Sequence, residues 1–305
     1  MKSHRLWLLS FVAVLQLVVF SSGQAGDIDS LVLDIPYYTG EDADPDKHSL
    51  NLAIPGGVKN PPLVMWIHGG AWAMGGRAQE TAISDHLRQQ GFAVATISHR
   101  LSPAEWLDPS LKTGVQHPAH MIDCARAFAW LHKHAEDYGY DADRLFVSGF
   151  SSGAHLSALL ATDPSYLEAH GLGLEAIQAA IPISGAYDME DYYADHLEHN
   201  GKEMADGHVL GVFGSEDVLA SVSPSQHVEH SGVPMLVVSD SETYDYTRLF
   251  EDQVGEMGLA HVQFHHVRDH THAELYKSLA GREKCEARER ILAYLRKQSG
   301  EEKAH

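Results

Sequence analysis

The sequence predicts an α/β protein with a mostly parallel central sheet, helices on both faces of that sheet and a small cap insertion. Short, continuously apolar runs of strand length alternate with longer segments of helical periodicity along most of the 305 residues. Strands have this continuous apolar character when helices cover both sides of a parallel sheet. The chain is long enough to form one such domain with a sizeable core.

The predicted elements begin with an antiparallel entry to the sheet, because residues 31–35 and 48–54 alternate between apolar and polar side chains. The later elements follow in chain order: a strand at 63–67, a helix at 80–90, a strand at 92–97, a helix at 118–138, a strand at 144–148, a helix at 154–161, strands at 177–185 and 235–238, a helix at 244–257, a strand at 261–267 and a helix at 283–297.

One long segment interrupts the alternation of strands and helices. Residues 187–231 are polar, are rich in Asp, Glu and His, and contain no strand pattern. Irregular segments of this length between core strands are usually functional or disordered. We therefore expect a cap or lid over the top of the sheet.

The N-terminal residues 1–25 have the pattern of a secretory signal peptide. A positively charged start precedes an apolar run at 6–20, and residues 21–25 are mostly small and end in a plausible cleavage site. The run is short for a membrane span, although an uncleaved anchor is the alternative. We expect residues 26–305 to form the mature domain and to be secreted or periplasmic.

Composition and cysteine content limit the possible partners. A formal net charge of −20 argues against binding to nucleic acid and to anionic membrane surfaces. The two cysteines, Cys124 and Cys285, lie in predicted helices and form no C-x-x-C motif, so free, partly buried thiols are expected more than a disulfide. The sequence does not predict the oligomeric state.

The pentapeptide Gly149-Phe150-Ser151-Ser152-Gly153 is the central motif. It stands between a predicted strand and a predicted helix, which is the context of a nucleophile elbow. In such a turn small residues let the two backbone segments approach, and the central serine is held in a strained conformation above the sheet. This predicts Ser151 as a nucleophile and the backbone N–H of Ser152 as a donor to an oxyanion.

A second motif, His68-Gly69-Gly70-Ala71-Trp72, directly follows a predicted strand. Two glycines let successive backbone N–H groups point into one space, as an acyl-transfer enzyme requires for a tetrahedral oxyanion. The position of this loop matches the second half of an oxyanion hole.

With both motifs present, the chain resembles the α/β-hydrolases of the hormone-sensitive-lipase-like and kynurenine-formamidase-like group, over nearly everything after residue 25. The resemblance also rests on His99-Arg100-Leu101-Ser102-Pro103, His117-Pro118-Ala119, Ala154-His155-Leu156, Ile183-Ser184-Gly185-Ala186-Tyr187-Asp188 and Ser223-Pro224. It implies an α/β-hydrolase fold with Gly70, Ala71 and Ser152 as oxyanion donors. Ala71 stands where the family often has a third glycine, and it can serve if the position does not need a positive φ.

The same resemblance places the acid and the base late in the chain. It implies His272 as the base, with His270 as a supporting or surface residue. Asp240, Glu242 and Asp245 all follow the strand at 235–238. Of these we expect Glu242 to be the acid, because the family carboxylate usually falls near that position. Asp217 lies in the cap segment and is expected to be a decoy.

These assignments predict a carboxylesterase that cleaves small esters through an acyl-enzyme and needs no cofactor. Trp72, Trp106 and Phe150 are candidate substrate-binding residues. The histidines between 261 and 272 also suggest a metal site, but most of them lie on a strand or in the triad loop, so we expect none. The alternatives are an arylformamidase-type amidase and a non-catalytic binding protein on a hydrolase fold.

Overall fold

The computed structural model describes residues 17–19 and 29–300. Its fold is built on one central sheet. Its strands are β1 (Leu17–Val19), β2 (Ser30–Pro36), β3 (Ser49–Ile54), β4 (Leu63–Ile67), β5 (Ala93–Ile97), β6 (Leu145–Phe150), β7 (Ala179–Ile183), β8 (Met235–Ser239) and β9 (Val262–His266). The predicted signal peptide lies outside the described residues, except for 17–19.

The strand order is β1-β2-β3-β5-β4-β6-β7-β8-β9. The pairs among β1, β2, β3 and β5 are antiparallel, and every later pair is parallel. Parallel strands place their carboxyl ends at one edge of the sheet, and ligands of such sheets bind outside that edge. The predicted antiparallel entry and mostly parallel sheet are confirmed.

The helices are α1 (Thr81–Gln89), α2 (Ala119–Lys133), α3 (Ala135–Tyr138), α4 (Ser152–Thr162), α5 (Ser165–Glu168), α6 (Met189–His199), α7 (Lys202–Ala205), α8 (Gly211–Phe213), α9 (Tyr244–Met257), α10 (His272–Ala280) and α11 (Glu286–Gln298). Short 3-10 turns span Arg77–Glu80, Leu174–Ala176, Glu216–Val218, Ala220–Val222, Pro224–Gln226 and Val228–His230, and a π turn spans Asp206–Leu210.

Two apolar layers cover the sheet, one on each face. Residues from α2, α4 and α9 pack in one layer with Met65 and Ile67 of β4. Residues from α1, α10 and α11 pack in the other layer with Val64 and Trp66 of the same strand. Successive side chains of a strand point to opposite faces, so a strand buried on both sides must be apolar throughout. This explains the continuous apolar runs in the sequence.

The segment 187–231 connects β7 to β8 and contains α6, the shorter helices α7 and α8, and several 3-10 or π turns. It joins the layer that holds α2, α4 and α9 through buried residues such as Tyr193, Val209, Phe213 and Val222. Asp217 lies here, exposed, in the 3-10 turn Glu216–Val218. We call residues 187–231 the cap segment.

Three further features bear on the sequence expectations. Cys124 and Cys285 are free and buried, as expected for unpaired thiols. Within the described part of the chain, no helix has both the length and the apolar character needed to cross a bilayer. The helix α10 was not expected, because the segment after β9 was interpreted as a loop.

Candidate active site

The predicted elbow is present at the carboxyl end of β6. The strand ends at Phe150, α4 begins at Ser152, and Ser151 between them has φ 59° and ψ −120°. Such a conformation costs a non-glycine residue about 1–3 kcal/mol and persists only where the surroundings enforce it. Here the Ser151 N–H donates to Ile183 O on the adjacent strand at 2.9 Å.

The two outer glycines of the motif are required by close backbone contacts. A Cβ on Gly149 would lie 2.5 Å from Gly153 O, and a Cβ on Gly153 would lie 2.2 Å from Ile67 O. Any side chain at either position would therefore push β4, β6 and α4 apart. The sharp turn that raises Ser151 above the sheet depends on these contacts.

His272 is the first residue of α10, and its ring pairs with Asp240 rather than with Glu242. The distance from His272 Nδ1 to Asp240 Oδ2 is 2.7 Å. Glu242 is exposed, and its Oε2 instead accepts a hydrogen bond from the backbone N–H of His272 at 2.9 Å. The expectation that Glu242 is the acid is therefore wrong in this geometry, and the carboxylate two residues earlier takes that place.

The turn after β8 explains why Asp240 faces the histidine. Asp240 Oδ1 accepts hydrogen bonds from the N–H groups of Glu242 at 2.9 Å and Thr243 at 2.8 Å, and from Thr243 Oγ1 at 3.1 Å. These bonds hold one carboxylate oxygen against the turn and leave Oδ2 for the imidazole. Glu242 lies within this turn, and its exposed side chain reaches the N-terminal end of α10 instead of the His272 ring.

Asp240 is fully buried and remains ionised at neutral pH. Burial by itself raises the pKa of the carboxyl group, but the hydrogen bond from His272 and the bonds from the turn outweigh it, so the pKa is lowered. An ionised carboxylate only accepts hydrogen bonds, so His272 Nδ1 must carry the proton that it shares with Asp240. The other ring nitrogen, Nε2, is then free to accept a proton.

The loop after β4 turns tightly at Gly70, whose carbonyl accepts from Ala73 N at 3.0 Å and Met74 N at 2.9 Å. Gly70, Ala71 and Trp72 have φ values of 117°, 54° and 58°. Ala71 thus does adopt a positive φ, so the condition stated for this alanine in the sequence is not met, although the residue keeps its backbone N–H. None of the described backbone carbonyls accepts from the N–H of Gly70 or Ala71.

The N–H of Ser152 is also unused within its own helix, because it belongs to the first turn of α4. The N-terminus of a helix carries partial positive charge and favours an anion. Ser152 and Ala71 line the same cavity as Ser151. The loop and the helix start therefore present donors to one space.

That space is a cavity of about 240 Å³. Its walls come from the elbow, the loop after β4, the carboxyl ends of β7 and β8, the start of α10 and the cap segment. The lining includes Ser151, His272, Trp72, Tyr192, His208 and Tyr246. Ser151, His272 and residues of the cap segment thus face one shared volume.

The three expected substrate-binding aromatic residues have different positions. Trp72 lines the cavity and is held by a 3.3 Å hydrogen bond from Nε1 to His155 Nδ1. Trp106 lies behind the wall, with its ring 4.6 Å from that of His208. Phe150 is buried, with its ring centroid 4.6 Å from that of His272. The expectation that Trp106 and Phe150 bind substrate is therefore corrected: neither lines the cavity, and each packs against a residue that does.

The cap contributes cavity residues that the sequence analysis did not select. Tyr192 Oη and His208 Nε2 are 2.8 Å apart, and both residues line the cavity with His196. Burial lowers the pKa of His208 to about 4, so its imidazole is neutral at neutral pH. Tyr192 and His196 are one helical turn apart in the sequence. Only the fold shows that this face of α6 lines the cavity that Ser151 also lines.

The start of α10 was also detectable. Thr271 and Glu274 form a capping box, in which Thr271 Oγ1 accepts from Glu274 N and Glu274 Oε2 accepts from Thr271 N. The T-x-x-E pattern is a sequence signature of a helix N-terminus. His270 lies before this helix, where its Nδ1 contacts the Asp269 carboxylate at 2.9 Å. Across the described residues, no His, Cys, Asp and Glu side chains cluster in a way that could hold a metal ion.

Comparison with known proteins adds a family match. The BD-FAE family profile matches residues 50–243. Esterase LipC of Mycobacterium tuberculosis is 31% identical over 198 residues, which are 60% of this chain and 45% of LipC. Probable carboxylic ester hydrolase LipM of the same organism is 36% identical over 132 residues, which are 42% of this chain and 28% of LipM. The chain thus spans less than half the length of these two curated relatives.

Among solved structures, esterase B from Lactobacillus rhamnosis aligns with a TM-score of 0.70 at 19% identity, covering 92% of this chain and 88% of that one. Similarity at this identity concerns the fold.

Proposed function

The chain belongs to the BD-FAE family, and from its site geometry we propose that it is a serine hydrolase that cleaves small carboxylic esters. The fold predicted from the sequence and the resemblance to α/β-hydrolases of the hormone-sensitive-lipase-like group are confirmed. The observation that carries the proposal is the shared cavity: Ser151, strained at φ 59°, lines it with His272, whose Nδ1 is held by Asp240.

In the acylation step His272 Nε2 takes the proton of Ser151 Oγ as the oxygen attacks the ester carbonyl carbon. The proton that His272 already carries on Nδ1 stays in its hydrogen bond with Asp240 Oδ2 at 2.7 Å. Asp240 holds the imidazole in the required tautomer and stabilises the imidazolium that forms. The imidazolium then gives its Nε2 proton to the departing alcohol oxygen, which leaves an acyl ester on Ser151.

Negative charge develops on the carbonyl oxygen during this attack. The N–H groups of Gly70, Ala71 and Ser152 are the proposed donors to it, and each such donor is typically worth about 3–4 kcal/mol of barrier. The N-terminus of α4 adds to the stabilisation. In deacylation, His272 activates a water molecule that attacks the same carbon and releases the acid.

The cavity favours a small substrate. A volume of about 240 Å³ fits a short acyl or aryl group rather than a long fatty chain. Its walls are aromatic at Trp72, Tyr192 and Tyr246 and polar at the neutral His208. Walls of this kind favour esters whose group in the cavity is compact and uncharged.

Two serine variants test the proposal. Ser151→Ala should lose hydrolysis of p-nitrophenyl acetate and butyrate and labelling by a fluorophosphonate probe, while its thermal unfolding stays close to that of the wild type. Ser152→Ala should keep most of the activity, since its backbone N–H remains. Activity that survives in Ser151→Ala, or wild-type protein that neither labels nor turns over, would refute the proposal.

Comparing the rate of formanilide hydrolysis with that of the formate ester of the same aryl group tests the amidase alternative directly. Labelling of the wild type by the probe distinguishes an enzyme from a non-catalytic binding protein.

We further propose that residues 1–25 direct export to the periplasm or the medium. The support is the charged start, the apolar run and the small residues before Gly26. N-terminal sequencing of the protein from its native host should begin near Gly26. A start at Met1 would contradict export with cleavage.

A further inference from the structure

A buried carboxyl group outside the triad lies behind the catalytic base. Glu80 is 3% exposed and stands at the end of the 3-10 turn before α1. Its Oε2 accepts hydrogen bonds from Trp66 Nε1 at 2.9 Å and from Tyr276 Oη at 3.2 Å. The mechanism above uses none of these three side chains.

The two donors to Glu80 belong to the two halves of the proposed machinery. Trp66 lies on β4, two residues before His68 and the loop that presents Gly70 and Ala71. Tyr276 lies on α10, four residues after His272, so both side chains project from the same face of that helix. Glu80 thus connects the strand of the oxyanion loop to the helix of the base.

Phe150 completes the connection between Tyr276 and His272. Its ring centroid lies 4.6 Å from that of His272 and 5.1 Å from that of Tyr276. Phe150 is also the residue before Ser151. A shift of Tyr276 would therefore move the ring on which the imidazole packs.

We propose that Glu80 is a positioning residue, which fixes α10 through Tyr276 and so sets the His272 ring relative to Ser151 and the oxyanion loop. The inference rests on the proposed ester hydrolysis. Burial raises the pKa of Glu80 above its usual value, and the hydrogen bonds from Trp66 and Tyr276 offset this only in part. Burying a carboxyl group lowers the stability of the fold unless hydrogen bonds compensate for the lost water. Here the two compensating hydrogen bonds connect β4 to α10.

The first test removes one hydrogen bond and keeps the packing. Tyr276→Phe should lower kcat for p-nitrophenyl acetate about 5- to 20-fold with KM within twofold, because small displacements of a reacting group can cost up to about a hundredfold in rate. The rate of fluorophosphonate labelling should fall in parallel. The matched control is Tyr140→Phe, which removes a buried hydrogen bond from Tyr140 Oη to Leu131 O at 2.6 Å and should keep the wild-type kcat.

The second test uses Glu80 itself. Glu80→Gln keeps an acceptor oxygen for both donors and should retain kcat within about threefold. Glu80→Leu removes the acceptor and should lower kcat at least as much as Tyr276→Phe. Adding Tyr276→Phe to Glu80→Leu should then cause little further loss, since the two residues act through one connection. Should Glu80→Leu fail to fold, Glu80→Gln and Tyr276→Phe still decide the question.

A different pattern would overturn the inference. If Tyr276→Phe and Tyr140→Phe lower the melting temperature alike and both keep the wild-type kcat and labelling rate, Glu80 has a structural role only. Wild-type protein that neither hydrolyses esters nor labels would instead refute the proposed function, and the inference with it.

Discussion

Replacing Asp240 with asparagine is expected to abolish most turnover although the shape of the side chain barely changes. Asp240 Oδ1 is bound by two backbone N–H groups at 2.8 and 2.9 Å, so the amide oxygen of an asparagine must occupy that side. The amide NH₂ group then replaces Oδ2 at 2.7 Å from His272 Nδ1. Two donors cannot face each other, so Nδ1 must give up its proton and accept.

The consequence is the wrong tautomer of the base. With Nδ1 accepting, the proton lies on Nε2, and His272 cannot take the proton of Ser151. Losses of this kind amount to about ten-thousand-fold in kcat. That factor corresponds to roughly 5.4 kcal/mol in the barrier.

Glu242→Gln is the matched control. Glu242 Oε2 accepts only the backbone N–H of His272, and a glutamine oxygen can accept the same bond. A carboxylate at a helix N-terminus contributes about 0.3–1 kcal/mol through its charge. We therefore expect kcat to stay within about fivefold of the wild type.

The assay is kcat and KM for p-nitrophenyl acetate at pH 8, with melting temperatures to show that both variants are folded. The reasoning is refuted if Asp240→Asn keeps more than a tenth of the wild-type kcat. It is equally refuted if Glu242→Gln is the inactive variant, because the acid would then be the residue first expected from the sequence.

Two further predictions concern the loop after β4 and the buried histidines. Ala71 has a φ of 54°, a conformation that costs an L-residue about 1–2 kcal/mol. Ala71→Gly should therefore keep kcat/KM and leave the stability in urea unchanged or raised. A loss of both activity and stability would contradict the backbone strain inferred at Ala71. Burial lowers the folded-state pKa values to about 3 for His68 and His120 and to about 4 for His99, His155 and His208, against about 6.5 in the unfolded chain. Below pH 6.5 the unfolded chain therefore binds more protons than the folded chain, so the free energy of unfolding should fall as the pH is lowered from 7 to 4.5. Urea midpoints that stay constant from pH 7 to 4.5 would contradict this burial.

The architecture and the elbow that holds Ser151 could be predicted because their causes are local in the chain. A strand buried on both faces must be apolar at every position, as in Leu63–Ile67. The elbow needs glycine where Gly149 and Gly153 meet other backbone segments, and the motif carries both. The order of strands and helices then indicates a parallel sheet with Ser151 at its carboxyl edge.

Which carboxylate pairs with His272 was decided only by tertiary structure. Asp240 and Glu242 are both carboxylates just past the same strand, and nothing in their sequence neighbourhood reports which one faces His272. The turn that binds Asp240 Oδ1 and the position of α10 together settle the pairing. These two elements are distant in the sequence, so a pattern along the chain carries no information on their contact.

The same distinction applies to the cavity walls and to Ala71. An aromatic residue next to a motif has the same sequence signal whether it lines the site, as Trp72 does, or supports it from behind, as Phe150 does. Composition indicated a cap at 187–231, but only the packed chain brings Tyr192 and His208 to the cavity. Local sequence thus determined which elements form and where the elbow with Ser151 lies. Contacts between segments distant in sequence determined what faces it, because side-chain direction and backbone strain are fixed by packing.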